Sequence, residues 1–357
     1  MAHYPGSERE RKFPPQVVEA VVMDIFAACG MNPEDAALLA DSLVHADLRG
    51  IHSHGVLRVV DYVEKLTVGG VNPRGRPRVA KDNGSALVID GANSMGQIGG
   101  SFAMAKAIER ARTTGVALAA VGGSNHCGAM DYYTMIASRA DMIGIAATNA
   151  LPTMAPWGGM EKIVGLNPVS VSIPAGEEHP IVLDIALGAT AVGKIRVFAQ
   201  KGLAIPEGWA FDAQGRPTTD PTAALEGLIQ PIGAFKGIGL AMVMGILSTV
   251  LSGAGYGTEL GSLEDGPIAG ADGHFFLALD VAAFQDVDAF KSRVDRIIRQ
   301  FHQSRAAPGV ERVYVPGALE FEIAAGNRHS GMPLNEQTLV GIAACAKKLG
   351  TDAAALR

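Results

Sequence analysis

Apolar positions recur at helical spacing from Gln16 to Cys29, and Gly30 follows where such a helix stops. A second helical pattern begins at once. Asn32 can cap it, Pro33 suits its first position, and Glu34 and Asp35 place negative charge at the positive end of its dipole. It should run to about Arg49. After Gly50 comes Ile51-His52-Ser53-His54-Gly55. Val56, Val59, Val60 and Val63 then fall at i, i+3, i+4 and i+7 of a third helix, so the histidine segment reads as a turn between helices. Past the Gly/Pro/Arg-rich stretch Gly69–Pro77 the period changes. Strand patterns over Ala86–Asp90, Val116–Val121 and Ile143–Thr148 alternate with helical ones over Gly99–Thr114 and Ala129–Ala140, the rhythm of an α/β layer. Val169–Ile173 and Ile181–Ile185, parted only by a Pro/Gly/Glu loop, read as a hairpin, which makes the sheet mixed. Lys236–Leu251 reads as a buried helix, His274–Asp280 as a strand, Asp288–Arg305 as a polar-faced helix and Asn335–Leu349 as a closing helix.

Helices at both ends of a β-rich middle predict a discontinuous layout: a helical lobe from residues 1–82 and 288–357, and an α/β domain over 83–287. The charged, proline-bearing stretch from Met1 to Pro15 predicts a short unstructured lead-in, with no apolar run for a signal peptide or anchor. The apolar run Ile238–Leu251 is broken by Gly239 and Gly245 and falls short of the roughly 20 residues a bilayer span requires. Composition sharpens this only a little. With 357 residues, 48% of them hydrophobic, the chain can fill the cores of two or more lobes. A net charge of −6 leaves no basic stripe for nucleic acid, so a small anionic substrate would need local positive charge. Cys29, Cys127 and Cys345 are odd in number and far apart, which argues against a disulfide framework or a cysteine zinc site and for a reducing, cytoplasmic setting.

Chemistry-bearing residues concentrate first at His52-Ser53-His54-Gly55, with His45 before the turn and Arg58 and Tyr62 after it. A histidine gives and takes protons near neutrality, and an adjacent hydroxyl can orient it. Arg58 lies four residues from His54 and offers a guanidinium fork that suits a carboxylate. The same residues also suit an ordinary helix end. The second concentration is Gly122-Gly123-Ser124-Asn125-His126-Cys127-Gly128, between a strand and a helix, where glycines let the backbone approach a ligand and a helix start binds anions. His126 is a second acid/base candidate there, or a hydrogen-bonded histidine in a plain βα turn. The third joins Asp184-Ile185-Ala186, at a strand end, with Phe235-Lys236-Gly237. Lys236 suits a phosphate or ribose hydroxyl and Asp184 a ribose or a histidine, and each also suits a cap or surface charge. No G-x-G-x-x-G stands at a strand-to-helix junction, and neither G-x-x-x-x-G-K-[ST] nor G-x-S-x-G occurs. A Rossmann fingerprint, a P-loop and an α/β-hydrolase elbow are therefore excluded.

Seven segments, HADLRGIHSHGVLRVVDYVEKL, SNHCGAMDYY, APWGGMEKIVGLNPVSVSIP, VLDIA, GWAFDAQGRPTTDP, FKGIGLAM and GVERVYVPG, together resemble the type-2 malate/L-lactate dehydrogenase family over Gln16 to Leu349. The resemblance implies an α/β fold distinct from the Rossmann dehydrogenases. It would have a large mixed, largely antiparallel sheet binding an extended NAD or NADP, plus a helical lobe formed by both chain ends, in a homodimer. It also implies hydride transfer between that cofactor and a small 2-oxo or 2-hydroxy acid. Members act on malate, lactate, sulfolactate, ureidoglycolate, a diketo-gulonate, or the cyclic imines piperideine- and pyrroline-2-carboxylate, all with a carboxylate beside the reacting carbon. By motif, Ser53 and His54 match the proton-transfer pair, and His126 matches a second proton acceptor that also adjoins the cofactor. Asp184 matches a partner of the catalytic turn and a cofactor contact, while Arg58 and Tyr62 match the substrate's surroundings. Ala150, Ile185, Ala186, Lys236, Pro316 and Gly317 match further cofactor contacts. The chain departs from the family pattern at His52, where an acidic residue is usual, at Ala150 and Gly188, where serines are common, and at Ala318, where glutamate is usual.

The resemblance leaves open NAD against NADP and His54 against His126 as the acid/base. The expected partners are a small carboxylate and a second copy of the chain, with no nucleic acid, membrane or metal. Two rivals make different predictions. A metal-dependent hydrolase would use His45, His52 and His54, since H-x-H is a ligand spacing, and a non-catalytic dinucleotide-binding scaffold would bind cofactor without turnover.

Overall fold

The computed structural model describes residues 10–260 and 271–356. The chain opens with β1 (Arg11–Phe13), α1 (Pro15–Ala28) and α2 (Pro33–Leu48). The α2 start follows its sequence signal, because the Asn32 side chain accepts from the Asp35 amide with Pro33 in the first turn. Two 3-10 turns, His52–His54 and Val56–Arg58, lead directly into α3 (Val59–Thr67). Next come β2 (Arg78–Asn83), β3 (Ala86–Asp90), α4 (Gly96–Thr114), β4 (Val116–Ser124), α5 (Asp131–Arg139) and β5 (Met142–Thr148). The short β6 (Pro152–Met154) and β7 (Val164–Gly165) pair with each other before the hairpin of β8 (Val169–Ile173) and β9 (Ile181–Ile185). α6 (Val192–Gln200) and α7 (Pro221–Glu226) accompany a small ribbon of β10 (Ala210–Phe211), β11 (Pro217–Thr218) and β12 (Leu228–Ile229). The chain closes with α8 (Phe235–Ser248), β13 (Asp272–Asp280), α9 (Val287–His302), α10 (Ala318–Ser330), β14 (Met332–Leu334) and α11 (Glu336–Leu349).

Seven strands form one mixed sheet in the order β2-β3-β4-β13-β5-β8-β9. Only β3 and β4 run parallel, and every other neighbouring pair is antiparallel. β13, distant in sequence, enters between β4 and β5 and brings their C-terminal and N-terminal flanks into register. Period-2 alternation sorts the two faces. Ser170 of β8 points toward α5, where its hydroxyl lies 2.9 Å from that of Thr134. Val169 points the other way, to a cluster that includes Ile238 and Ala241 of α8. A separate core joins Val18 and Ile25 of α1, Leu39 of α2 and Val59 of α3 to Met332, Leu334 and Ile342 from the last elements.

Four features differ from the sequence reading. Of the expected unstructured lead-in, Met1–Arg9 lies outside the described residues, and Arg11–Phe13 is a strand paired antiparallel with Met332–Leu334, burying Phe13. The strand β2 has no buried position to reveal it, since all six of its residues are exposed. α9, grouped by sequence with the terminal helices, packs Val294 and Ile298 against Val315 and the β8–β9 end of the sheet. The α8 stretch is not buried all round. Gly237, Ile238, Ala241, Gly245 and Ser248 form its covered stripe, while Leu240 (51% exposed) and Val243 (45%) face outward. Apolarity on every side marks where a helix avoids water, but it does not say which side this chain itself covers. With its 3-10 continuation, Phe235–Ser252 is one stretch long and apolar enough to cross a membrane.

Candidate active site

The turn after α2 is organised by Asp47, a buried carboxylate. It accepts from the Val56 amide at 2.7 Å and meets His52 Nδ1 at 2.7 Å. Gly55 is required beside it, because a Cβ there would stand 2.2 Å from the Asp47 carboxylate. Burial works to lower the His52 pKa, but the bond and charge of Asp47 outweigh it and the net shift is upward. His52 is thus fixed to the scaffold of the turn, and His54, two residues on, projects elsewhere.

His54 Nδ1 lies 2.8 Å from its neighbour's Ser53 Oγ. Its ring stacks on that of His126, with centroids 5.6 Å apart and planes 14° from parallel. Arg58 stands at the start of α3, its Nε donating to the Ser53 carbonyl at 2.9 Å and its Nη1 to Asp61 at 2.9 Å. His126 Nδ1 is 2.7 Å from the Tyr62 hydroxyl, to which Gln97 Nε2 donates at 3.0 Å. Gly96 lets α4 start against the His126 segment, since a Cβ there would fall 2.0 Å from the Asn125 carbonyl oxygen. Burial, then the Arg58 charge, push His54 down to about 4. Burial, Arg58, His54 and His274 hold His126 well below the ordinary histidine value. The site therefore presents two neutral imidazoles beside a guanidinium, and an anion arriving at Arg58 would offset the second of the causes that keep them so, leaving burial.

Asp184 belongs to an adjoining buried cluster. Its carboxylate accepts from the Asp131 amide at 2.9 Å, and Asp131 in turn binds Arg49 Nε at 2.6 Å, with His45 Nε2 3.5 Å away. Burial raises Asp184, and the nearby Asp131 charge raises it further. Burial raises Asp131 too, but His45 and Arg49 more than offset it. The Arg49 guanidinium lies 4.6 Å over the Phe321 ring. The Asp184 hydrogen bond thus goes to the head of α5 and not to the His54 ring.

The remaining candidates lie on the sheet and its margins. Ile185 ends β9 and Ala186 follows it, and Leu187 beyond them accepts from the Ile232 amide at 3.1 Å. That link leads within four residues to Lys236, exposed on the first turn of α8. Ala150 donates to Asn167 Oδ1 at 2.9 Å, and the Pro316 carbonyl accepts from Val182 of the edge strand β9 at 3.0 Å. Gly317 follows at a φ of 88°. The structure brings Ser53, His54, Arg58, Tyr62 and His126 together, with Asp184 in the layer beside them. Ala150 and Pro316 have their hydrogen-bond partners on other elements, Asn167 and Val182, and Lys236 stands on the first turn of α8. These residues fit a nicotinamide dinucleotide: Lys236 makes no ion pair among the described residues, and the buried Thr190 hydroxyl near the β9 end lacks a partner. His45, His52 and His54 turn to Asp131, Asp47 and His126 and do not converge. Among the described residues no group of three or more His, Cys, Asp or Glu side chains is arranged to hold a metal.

Comparison with known proteins decides the family. The profile described as malate/L-lactate dehydrogenase matches residues 13–343. The chain belongs to that family. It is 38% identical over 306 residues to the L-sulfolactate dehydrogenase of Methanocaldococcus jannaschii, covering 86% of this chain and 88% of that one. It is 35% identical over 340 residues to the malate dehydrogenase of Pyrococcus horikoshii, covering 93% of each. The solved sulfolactate dehydrogenase from Methanocaldococcus jannaschii superposes with a TM-score of 0.90 at 35% identity, over 96% of this chain and 98% of that one. Membership in this family of dehydrogenases makes the mixed sheet and its flanking helices a shared architecture. Within it, sequence reasoning missed Asp47, Arg49, Gln97 and Asp131 in this chain. Each is a single polar residue in or beside an amphipathic helix, and its partner is set by tertiary packing alone.

Proposed function

We propose that this family member transfers a hydride between NAD or NADP and the carbon beside the carboxylate of a small 2-oxo or 2-hydroxy acid, of the malate or sulfolactate type. The observation that carries the reading is the stacked pair of neutral imidazoles, His54 and His126, beside the half-buried Arg58. The nicotinamide supplies the hydride. Ile185, Ala186, Lys236 and the Pro316-Gly317 turn would hold it, and Arg58 would anchor the substrate carboxylate through its guanidinium fork. Holding the reacting groups in place contributes much of the rate; a neutral imidazole takes the hydroxyl proton when the acid is oxidised, and the imidazolium so formed returns it to the developing oxygen in the reductive direction. The three cysteines are unpaired, which supports a reducing compartment.

The test is consumption of the reduced cofactor, NADH and then NADPH, against pyruvate, oxaloacetate, sulfopyruvate and cyclic imine carboxylates. Turnover on a 2-oxo acid is expected, and turnover only on an imine would move the reaction to carbon–nitrogen reduction. Failure to bind either cofactor would sink the reading. The outward face of α8, with Leu240, Val243 and Ile246, supports a further part of the proposal, that a second copy of the chain covers it. Val243→Glu should then convert a dimer to a monomer in light scattering, and a wild-type monomer at micromolar concentration would remove this part.

A further inference from the structure

We propose that Gln97 is a positioning residue which, acting through Tyr62, fixes His126 as a neutral hydrogen-bond donor, leaving His54 to carry the transferred proton. This rests on reading the His54–His126 cleft as the dehydrogenase site. The argument follows the hydrogens. The Gln97 Nε2 group only donates, and the Tyr62 oxygen accepts from it at 3.0 Å. The hydroxyl proton of Tyr62 is then directed to its other neighbour, His126 Nδ1, at 2.7 Å. Nδ1 must accept, so the single hydrogen of the neutral ring sits on Nε2. Turning the Gln97 amide over would reverse each bond. It would also put donors where Gln97 Oε1 now lies buried without a partner, and orphaned N–H groups are rarer in proteins than orphaned carbonyls.

This chain satisfies one protonation state of His126 only. A proton on Nδ1 would face the Tyr62 hydroxyl proton, and accommodating it would require Gln97, fully buried on the first turn of α4, to rotate. Ser53 imposes no such limit on His54, because a hydroxyl accepts from a protonated Nδ1 and donates to a bare one. The titratable groups facing His126 are Tyr62, whose pKa burial raises so that it stays uncharged, and Arg58, His54 and His274, and none carries a negative charge that would favour its imidazolium. As the substrate oxygen gains charge, His126 Nε2–H bonds to it. Protonated His54 gives it a proton and returns to neutral, and an anion at Arg58 makes that prior protonation easier.

The experiment is nitrogen-15 NMR of the free enzyme with labelled histidine, alongside kinetics of His126→Gln, His54→Gln, Gln97→Met and Tyr62→Phe. The expected spectrum shows His126 with a bare Nδ1 and a protonated Nε2 at neutral pH. His126→Gln keeps a donor and should lose no more than about 10-fold in kcat, with the ionisation in kcat/KM retained, while His54→Gln should lose roughly 10²–10⁴-fold and that ionisation with it. Tyr62→Phe and Gln97→Met should each lower kcat several-fold with KM held, and the double variant should lose no more than Tyr62→Phe alone, because Gln97 acts through Tyr62. A protonated Nδ1 on His126, or disappearance of the ionisation in His126→Gln, would overturn the assignment. The spectrum needs no substrate, so it stands even if every acid tried proves inert.

Discussion

Two neutral histidines of this molecule, one buried and one half-buried, have opposite uses. His274 lies on β13, wholly buried, with Nε2 2.8 Å from Ser124 Oγ on β4 and Nδ1 2.7 Å from Thr148 Oγ1 on β5. Both nitrogens are engaged, and the ring ties the two neighbours of β13 together. His126, only two residues beyond β4, has one nitrogen bound to Tyr62 and its ring stacked on His54. Both have depressed pKa values for the same first reason, burial. The difference lies in what is left over. A histidine with both nitrogens occupied is a strut, while one with a nitrogen to spare beside a cation is equipped to meet a substrate.

The largest effect should come from emptying the site side of this comparison. His54→Ala is expected to lower kcat by roughly 10²–10⁴-fold while leaving cofactor binding and the thermal midpoint nearly unchanged, and an unaltered turnover would remove it from the chemistry. On the strut side the balance should invert. His274→Phe strands the Ser124 hydroxyl at about 1–3 kcal/mol, while the Thr148 hydroxyl keeps the Asn149 and Gly273 carbonyls as acceptors, so the denaturant midpoint should fall while the folded fraction keeps its turnover. A smaller effect is tied to pH. His274 falls from an unfolded value near 6.5 to about 4, pushed by burial, so the unfolded chain takes up its proton first as the solution is acidified. Its contribution to stability is intact above pH 6.5 and shrinks by up to about 1.4 kcal/mol per pH unit down to pH 4. Removing His274 should therefore lessen the acid sensitivity of unfolding by close to one proton, and an unchanged slope would show the ring to be charged in the fold. The smallest effect belongs to Asp184→Asn. Its raised pKa means that its stabilising protonated form is fully present below the ordinary carboxylate range and is lost as pH rises through the folded value. The amide keeps an acceptor for Asp131 and does not ionise, so the variant should match the wild type within about 1 kcal/mol at acid pH, where the carboxyl is protonated in both states, and gain on it steadily as pH rises toward the folded value.

These contrasts also mark what the sequence reveals. β3, β8 and β9 are found at both ends, because β8 alternates apolar and polar residues and β3 and β9 are short apolar runs, each set between turn formers. β2 is hidden because an all-exposed edge strand buries no side chain and leaves no period. His54, Ser53 and His126 stand out as polar residues in turns next to apolar runs. Gln97 does not, since its meaning depends on Tyr62, 35 positions away, and on the room that Gly96 makes against Asn125. Arg49 is likewise coupled to Asp131 across 82 positions. Local patterns report which side of an element is dry. They do not report which two dry sides meet, and the buried polar partners of a site are set by that meeting.

The core shared by α1, α2, α3, β14 and α11 bears on how the protein is made. On the ribosome the first three helices emerge long before the strand and helix that cover them, and their apolar faces must wait while the whole sheet is synthesised. Contacts that span nearly the full chain close slowly, so this lobe is the last to set. Val56 and Val59, on either side of Arg58, belong to that late core. A nascent chain can therefore hold a finished sheet while the turn that carries Ser53, His54 and Arg58 still lacks the packing that α11 supplies against α1 and α3.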